Sequence, residues 1–395
     1  MNKLPTRKIL LITEYFAPSH GATAQLMGDL ALGLAAQGKR VVVLTATADP
    51  ENQVFTGLQL VRLGAAPGET PRLLIKAWRG LRFFLLAFCW CSWFGRRGDK
   101  LLIASNPPFI GLLGPLLQWR GIKYVFLFQD LFPRSAVLSG LLPADGFPTK
   151  ILKLLMGWVC GSSHRTVVLS EAMAESLQND YRRQLPIQVI HNWAVEKALP
   201  GSRAQNAFAQ ELNLADYFLV QYSGNFGRLH DLNTLLKAAL LLREHPLRFL
   251  FIGGGAKQVE LQDFVQRQHL DNVIQLPYQA RNKLAITLGA CDIAAIALRP
   301  GVEGTVAPCK FYGILASSRP VLLIANPNCD LARLLIENQC GLVVPPGDAN
   351  GLAQQLLVLQ QDPERLGVMA QRALALYEQR FGLERSLHAY GALLQ

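Results

Sequence analysis

The chain has 395 residues, half of them hydrophobic and 17% charged, with a formal net charge of +11. That length accommodates two domains with separate cores, and that composition excludes wholesale disorder. The positive excess is uneven, because residues 1–200 hold 22 Lys and Arg against 12 Asp and Glu, and residues 201–395 hold 17 against 16. A basic first half suits an acidic partner such as anionic lipid or a phosphorylated acceptor. No helix-turn-helix, RNP-type or zinc-finger pattern accompanies the charge, so nucleic acid is not an expected partner. The seven cysteines show no C-x-x-C pair and no zinc spacing, which predicts buried reduced thiols and a cytoplasmic location.

Met1–Lys8 is short and polar, and Ile9–Thr13 reads as a strand rather than the core of a signal peptide. A turn, Tyr15–Thr23, follows, with Gly21 just before a helix over Thr23–Gln37 that Gly38 stops. Gly21 either lets the backbone approach an anion at that helix start or serves an ordinary strand-to-helix turn. Strands follow at Val41–Thr45 and Leu58–Leu63. Phe83–Phe94 (FFLLAFCWCSWF) is an aromatic helix, far below the ~20 residues needed to span a bilayer. Arg72, Lys76, Arg79 and Arg82 precede it, and Arg96, Arg97 and Lys100 follow it. Two readings stay open. One is an interfacial helix presenting Phe83, Trp90 and Trp93 with Arg79, Arg82, Arg96 and Arg97 to an anionic membrane, and the other is a helix buried against a sheet.

Further strands are predicted at Leu101–Ser105, Tyr124–Phe128, Thr166–Leu169 and Gln188–His191. Asp130 sits at the carboxyl end of the second of these, where it orients a hydroxyl or caps a helix. Around Ala194–Asn206 the periodicity lapses, and Pro200-Gly201-Ser202 is turn chemistry, so a linker belongs there. The pattern restarts with strands at Phe218–Tyr222, Arg248–Ile252, Val273–Leu276, Ile293–Ala297, Val321–Ile324 and Leu342–Val344. Helices Asp231–Glu244 and Leu331–Asn338 lie between them. The fold class is therefore α/β, with two successive doubly wound parallel sheets in domains 1–200 and 206–377. Such sheets bind ligands beyond the carboxyl ends of their strands, in a crevice.

Three loops of the second domain follow strands. Ser223–Asp231 holds Gly224, Asn225, Gly227, Arg228 and His230, and its amides with one guanidinium suit a diphosphate, unless Arg228 is merely solvated. Gly253-Gly254-Gly255 binds a base or phosphate, or only makes a turn. In Pro300–Pro320 (PGVEGTVAPCKFYGILASSRP), Lys310 stands in the first turn of a helix. There it can neutralise a departing diphosphate. Glu303, in the loop before it, is a hydroxyl ligand or an ordinary loop acid. No Asp-x-Asp follows a strand, and neither a P-loop nor a G-x-G-x-x-G is present. Metal-free, cofactor-free transfer of a sugar fits these absences better than hydride or phosphoryl transfer.

Together these segments resemble glycosyltransferase family 4, the retaining enzymes of GT-B fold. The likeness runs from YFAPSHGATAQLMGDLALGLAAQGKRVVVLTA through VVLSEAMAESL and VIHNW to YSGNFGRLHDLNTLL and APCKFYGILASSRPV. It is nearest to bacterial exopolysaccharide and O-antigen enzymes, including those that transfer fucose or N-acetylfucosamine. The resemblance implies two Rossmann-like domains, a nucleotide-sugar donor, and donor diphosphate contacts from Gly21, Gly224, Asn225 and Lys310, with Arg228 nearby. It places Asp130 on the acceptor side. The basic, aromatic stretch Arg72–Lys100 suggests that the saccharide acceptor is anchored in the membrane, as a polyprenyl-diphosphate sugar is, at the cytoplasmic face of the inner membrane. By the same analogy a helix at Leu383–Leu394, within about 378–395, returns to the first domain after crossing at Tyr377–Phe381. The chain departs from the family pattern at Asn225, where many members have Arg, and at His230 and Asp231, where many have Lys. The usual Glu-x7-Glu pair falls near Thr305 and Gly313, and Cys309 replaces a serine. A non-catalytic sugar-nucleotide-binding paralogue and a UDP-sugar epimerase of the same fold are the rival readings.

Overall fold

The computed structural model of the chain describes residues 7–16, 21–47, 55, 57–64, 73–181, 183–194, 206–280 and 283–395. Most of the expected linker, and the tip of the Tyr15–Thr23 turn, lie outside the described residues. The chain divides into two compact units. The first comprises residues 1–195, 304–307 and 383–395, and the second comprises 196–303 and 308–382.

In the first unit the strands are β1 (Lys8–Thr13), β2 (Arg40–Thr45), β3 (Leu58–Arg62), β4 (Lys100–Ala104), β5 (Lys123–Leu127), β6 (Arg165–Val168) and β7 (Ile187–Val189). They form one parallel sheet in the order β3-β2-β1-β4-β5-β6-β7. Residues such as Leu10, Ile12, Val42, Val43, Ile103 and Phe126 are fully buried on alternate faces. Two-sided cover of this kind explains why the strands read as unbroken apolar runs. Each such side chain withdrawn from water contributes ~1.5–3 kcal/mol. The helix Ala22–Ala36 links β1 to β2, and Gly38, at φ +78°, ends it in the left-handed conformation. The helix Leu383–Leu393 packs within this unit. Leu387 lies where a Cβ on Gly33 would stand, and Ser386 Oγ donates to His191 O at 2.8 Å.

The aromatic segment forms a longer helix than the sequence suggests, Leu73–Phe94. Phe83, Ala87 and Cys91, four residues apart, make its buried stripe, while Trp78, Leu85 and Trp93 are exposed. One face of the helix is thus buried, as the second reading expects, and the other is exposed. Phe83, expected at a membrane, is only 1% exposed and belongs to the core. Trp90 is half-buried and packs on Phe94 at 5.1 Å. Arg79 is partly exposed, whereas Arg82, Arg96 and Arg97 are exposed. No described helix is long and apolar enough to cross a membrane. None of the seven cysteines forms a disulfide, and Cys91, Cys160, Cys291 and Cys340 are buried. Cys89 is exposed, contrary to the expectation of buried thiols, because it falls on the outer face of this helix.

The second unit holds β8 (Phe218–Asn225), β9 (Leu247–Gly254), β10 (Val273–Leu276), β11 (Ile293–Ala297), β12 (Val321–Ile324) and β13 (Gly341–Val344). Its parallel order is β10-β9-β8-β11-β12-β13. In each sheet the first strand is central and the order reverses beside it, at β1/β4 and at β8/β11. The carboxyl end of β8 therefore lies at a topological switch point, where doubly wound sheets bind ligands. Helices start on side-chain caps: Asp231 accepts from Thr234 N at 3.4 Å, and Asp348 accepts from Gly351 N at 2.8 Å.

Candidate active site

In the first unit the chain leaves β5 through Phe128-Gln129-Asp130. Gln129 N donates to Ser105 Oγ at 2.9 Å, and Leu131 N donates to Thr305 O at 2.9 Å. Asp130 forms an isolated antiparallel bridge with Val306. A Cβ on Gly304, at φ +71°, would stand 2.4 Å from Ser176 Oγ, so the 304–307 segment approaches this unit as only glycine permits. Pro133, not Asp130, occupies the cap of the next helix, Arg134–Leu138. The capping role is thereby removed. Asp130 is exposed, and the protein around it raises its carboxyl pKa to about 6 through desolvation. The buried Gln129 Nε2 and Thr305 Oγ1 on either side have no hydrogen-bond partner. Gly21 caps the helix Ala22–Ala36 with ordinary negative φ, and a Cβ there would meet nothing.

The second unit concentrates its chemistry at the ends of β8 and β9. The sequence suggests loops after Tyr222 and Ile252, but both strands continue, pairing as far as Asn225 with Gly254. Glycine makes this possible. A Cβ on Gly253 (φ +137°) would lie 2.0 Å from Gly224 O, and one on Gly255 (φ +147°) 2.4 Å from Asn225 Oδ1. Gly254 O accepts from Phe226 N at 2.8 Å and from Tyr278 OH at 2.9 Å, which locks the two strand ends together.

Lys310 begins the helix Lys310–Ala316 and turns its ammonium onto this platform. Its Nζ lies 3.6 Å from the centre of the Tyr222 ring, and 3.5 Å from where a Cβ of Gly224 would stand. The Nζ atom is buried and has no hydrogen-bond partner. Burial lowers its pKa to about 7. The ring face supplies a cation–π contact but no acceptor, so the three donors of the ammonium remain for an anion.

His230 completes the cluster. Its Nδ1 is 2.7 Å from Tyr222 OH, 2.8 Å from Asn225 O and 3.3 Å from Gly227 N. Desolvation, then the Lys310 charge, lowers its pKa to about 4, which keeps the ring neutral. Tyr222 is the residue that sequence reasoning passed over, and His230 was read only as a member of the glycine-containing loop. The one local signal for Tyr222 is an aromatic residue two places before Gly224. Arg228 is exposed, and its carbonyl accepts from Arg299 Nη1 at 3.2 Å, so Arg299 props the loop. Glu303 Oε1 accepts from Asn326 N at 3.0 Å, which engages it in loop structure. At Gly313 a Cβ would meet only Leu288 Cδ1, at 3.8 Å, so a side chain fits there. Among the described residues, no group of three His, Cys, Asp or Glu could hold a metal ion.

Two family models match the chain, a glycosyl transferase 4-like domain over residues 21–193 and glycosyl transferases group 1 over residues 218–362. Two relatives carry provisional assignments. One is a glycosyltransferase, WbjE of Pseudomonas aeruginosa, 30% identical over 73% of this chain and 74% of its own. The other is a colanic acid biosynthesis glycosyl transferase, WcaI of Escherichia coli (strain K12), 29% identical over 83% of this chain and 85% of its own. Among solved structures, HepE of Anabaena in complex with UDP-glucose superposes with a TM-score of 0.74 at 15% identity, covering 98% of each chain. With matched models across both units, a relative at this identity and the GT-B arrangement of two parallel sheets, the chain belongs to glycosyltransferase family 4.

Proposed function

We propose that the chain is a retaining glycosyltransferase that uses a nucleoside-diphosphate sugar without a metal ion. Its acceptor is a saccharide or lipid-linked saccharide in bacterial cell-surface polysaccharide synthesis, at the cytoplasmic face of the inner membrane. The observation that carries the reading is Lys310, a buried cation with no protein acceptor, seated on Tyr222 beside Gly224 at a strand's carboxyl end. An incoming diphosphate satisfies its donors. When the glycosidic bond to the donor breaks, negative charge grows on the leaving oxygen, and a fixed ammonium in a water-poor site stabilises it more than bulk water does. Asp130, ionised above about pH 6, accepts a hydrogen bond from the acceptor hydroxyl and orients it.

Retention of configuration follows from the family resemblance. The nucleotide class draws support from HepE, solved with UDP-glucose, and the polysaccharide class from WcaI. The sugar is assigned to the deoxyhexose and hexose class on the motif likeness. A panel of UDP-, GDP- and TDP-sugars, incubated with EDTA and a saccharide acceptor, tests the reading. One donor is consumed, and Lys310→Ala lowers its turnover about 10²–10³-fold with the fold intact. Turnover only with added manganese or magnesium, or no turnover of any donor, overturns it.

A further inference from the structure

The first unit carries a second charged feature, at the end of its sheet opposite Asp130. Five adjacent strands begin on a cation: Arg40 of β2, Lys8 of β1, Lys100 of β4, Lys123 of β5 and Arg165 of β6. The register sets Lys8 beside Arg40 and Lys100 beside Lys123. Strands are spaced ~4.8 Å apart, so these residues form a row roughly 20 Å long on the amino-terminal edge. Arg7 joins it beside Gly98. The cations sense one another: the Lys100 pKa is lowered by burial and then by Lys123 and Arg7, and that of His164 by burial and then by Arg165, Lys100 and Lys123. Among the described residues of the turns entering these strands, Asp99 is the one acid. Its carboxylate accepts from the backbone N–H of Lys8 at 3.0 Å and of Arg96 at 2.9 Å.

Three tryptophans from three successive connections reach the same edge. Trp93 ends the helix before β4, and Trp119 lies in the 3-10 turn Gln118–Arg120 before β5. Trp158 stands in the last turns of the helix Phe147–Ser162 before β6. Side chains tie these connections together: Arg120 Nη2 donates to Gly95 O at 2.9 Å, and Gln118 Nε2 donates to Ser162 O at 2.7 Å. The indoles are nonetheless 82%, 69% and 45% exposed. Beside them the outer helix faces continue with exposed Leu85, Phe94, Ile151 and Leu154, and neither helix contains an Asp or Glu.

We propose that this amino-terminal edge, with Trp93, Trp119 and Trp158, docks on an anionic phospholipid bilayer. Indoles seat at the level of the headgroups, where one side is apolar and the other wet, and cations above them meet lipid phosphates. A second copy of the chain is a poor occupant, since a self-complementary contact sets the two cation rows against each other. Nucleic acid uses aromatic faces for stacking but leaves the flanking leucines and isoleucine without a role. The surface differs from the one read from sequence. It draws on three connections and five strand starts, rather than on the single segment Arg72–Lys100. It stands whether or not the chain transfers a sugar, because binding is read without donor.

The test is co-sedimentation of the full chain with phosphatidylcholine vesicles, with and without phosphatidylglycerol, followed by tryptophan emission. Binding requires phosphatidylglycerol, weakens with salt and shifts the emission to the blue. The triple variant Arg40→Glu, Lys123→Glu, Arg165→Glu loses about fivefold affinity per cation, roughly 100-fold together. An equal charge change in the second unit, Lys237→Glu, Arg267→Glu, Arg365→Glu, leaves most binding in place. Trp93→Ser with Trp119→Ser removes most of the blue shift and leaves the part that Trp158 contributes. Circular dichroism and the unfolding midpoint verify that each variant is folded. Vesicle binding that both charge triples weaken equally overturns the proposal. So does binding to heparin or polyphosphate but not to vesicles, and so does no vesicle binding at all.

Discussion

The two units are built on the same plan yet carry their positive charge at opposite ends of their strands. In the first, the cations line the amino-terminal edge from Arg40 to Arg165, and the carboxyl end offers exposed acids, Asp130 and Glu171. In the second, the informative cation is a single buried ammonium, Lys310, at the carboxyl end of β8. A parallel sheet fixes its interior by apolar packing but leaves both rims free to vary, since loops there lie outside the core. A row of solvated charges suits a broad, soft anionic surface. One dehydrated charge on a rigid aromatic floor suits one small anion held in one place.

The sharpest way to break that contrast is to spoil the rigid floor. Gly253→Ala adds a Cβ at φ +137°, within 2.0 Å of Gly224 O. Strain and clash together are expected to cost ~3 kcal/mol or more. Urea unfolding should show this loss, and ultraviolet difference titration should show nucleotide binding abolished. Next in size is the penalty that Lys310 imposes. Its pKa falls from 10.5 to about 7 on folding, so between those values the unfolded chain binds the extra proton and stability rises with pH. The burden is full below about pH 7 and gone above about 10.5. Lys310→Met should therefore stabilise the fold at pH 7 by on the order of 2–4 kcal/mol after allowance for partial exposure, seen as a higher melting temperature, while transfer falls. A melting temperature unchanged by the substitution at pH 7 would show that the ammonium is not desolvated.

The smallest effect concerns Gly313, where the family usually has glutamate. The site is mid-helix and open, so Gly313→Glu should add ~0.5–1 kcal/mol through helix propensity. If the ribose contact is restored, donor KM falls while turnover changes little, and steady-state kinetics with thermal melts separates the two effects.

The sheets were legible because their strands are unbroken apolar runs, and β2, β10, β11 and β12 end where the alternation of apolar runs and turns puts them. The misses have local physical causes. Glycine reads as a breaker, yet at Gly224, Gly253 and Gly254 it extends the β8–β9 pairing, because two backbones approach too closely for any side chain. The sequence singles out Lys310 and the glycine loop but cannot reveal that Nζ rests on Tyr222, since those residues are brought together only by the sheet. The basic helix was visible as a composition. Its division into a buried Phe83 stripe and an exposed Trp93 face needed the packing. The edge row was present as one Lys or Arg before each apolar run, a pattern that reads as ordinary solvation until the strands are laid side by side.

The helix Leu383–Leu393 completes the first unit by covering Gly33, although 187 residues, all but four of them in the second unit, separate it from Val195. At ~5–20 residues per second of synthesis, the ribosome delivers this cover roughly 10–40 s after the rest of the sheet has emerged. During that interval the Leu387 site on the nascent first unit is open. A nascent chain halted after the second unit would hold the seven strands of the first with the Leu387 site at Gly33 uncovered, apolar surface that a holdase can bind.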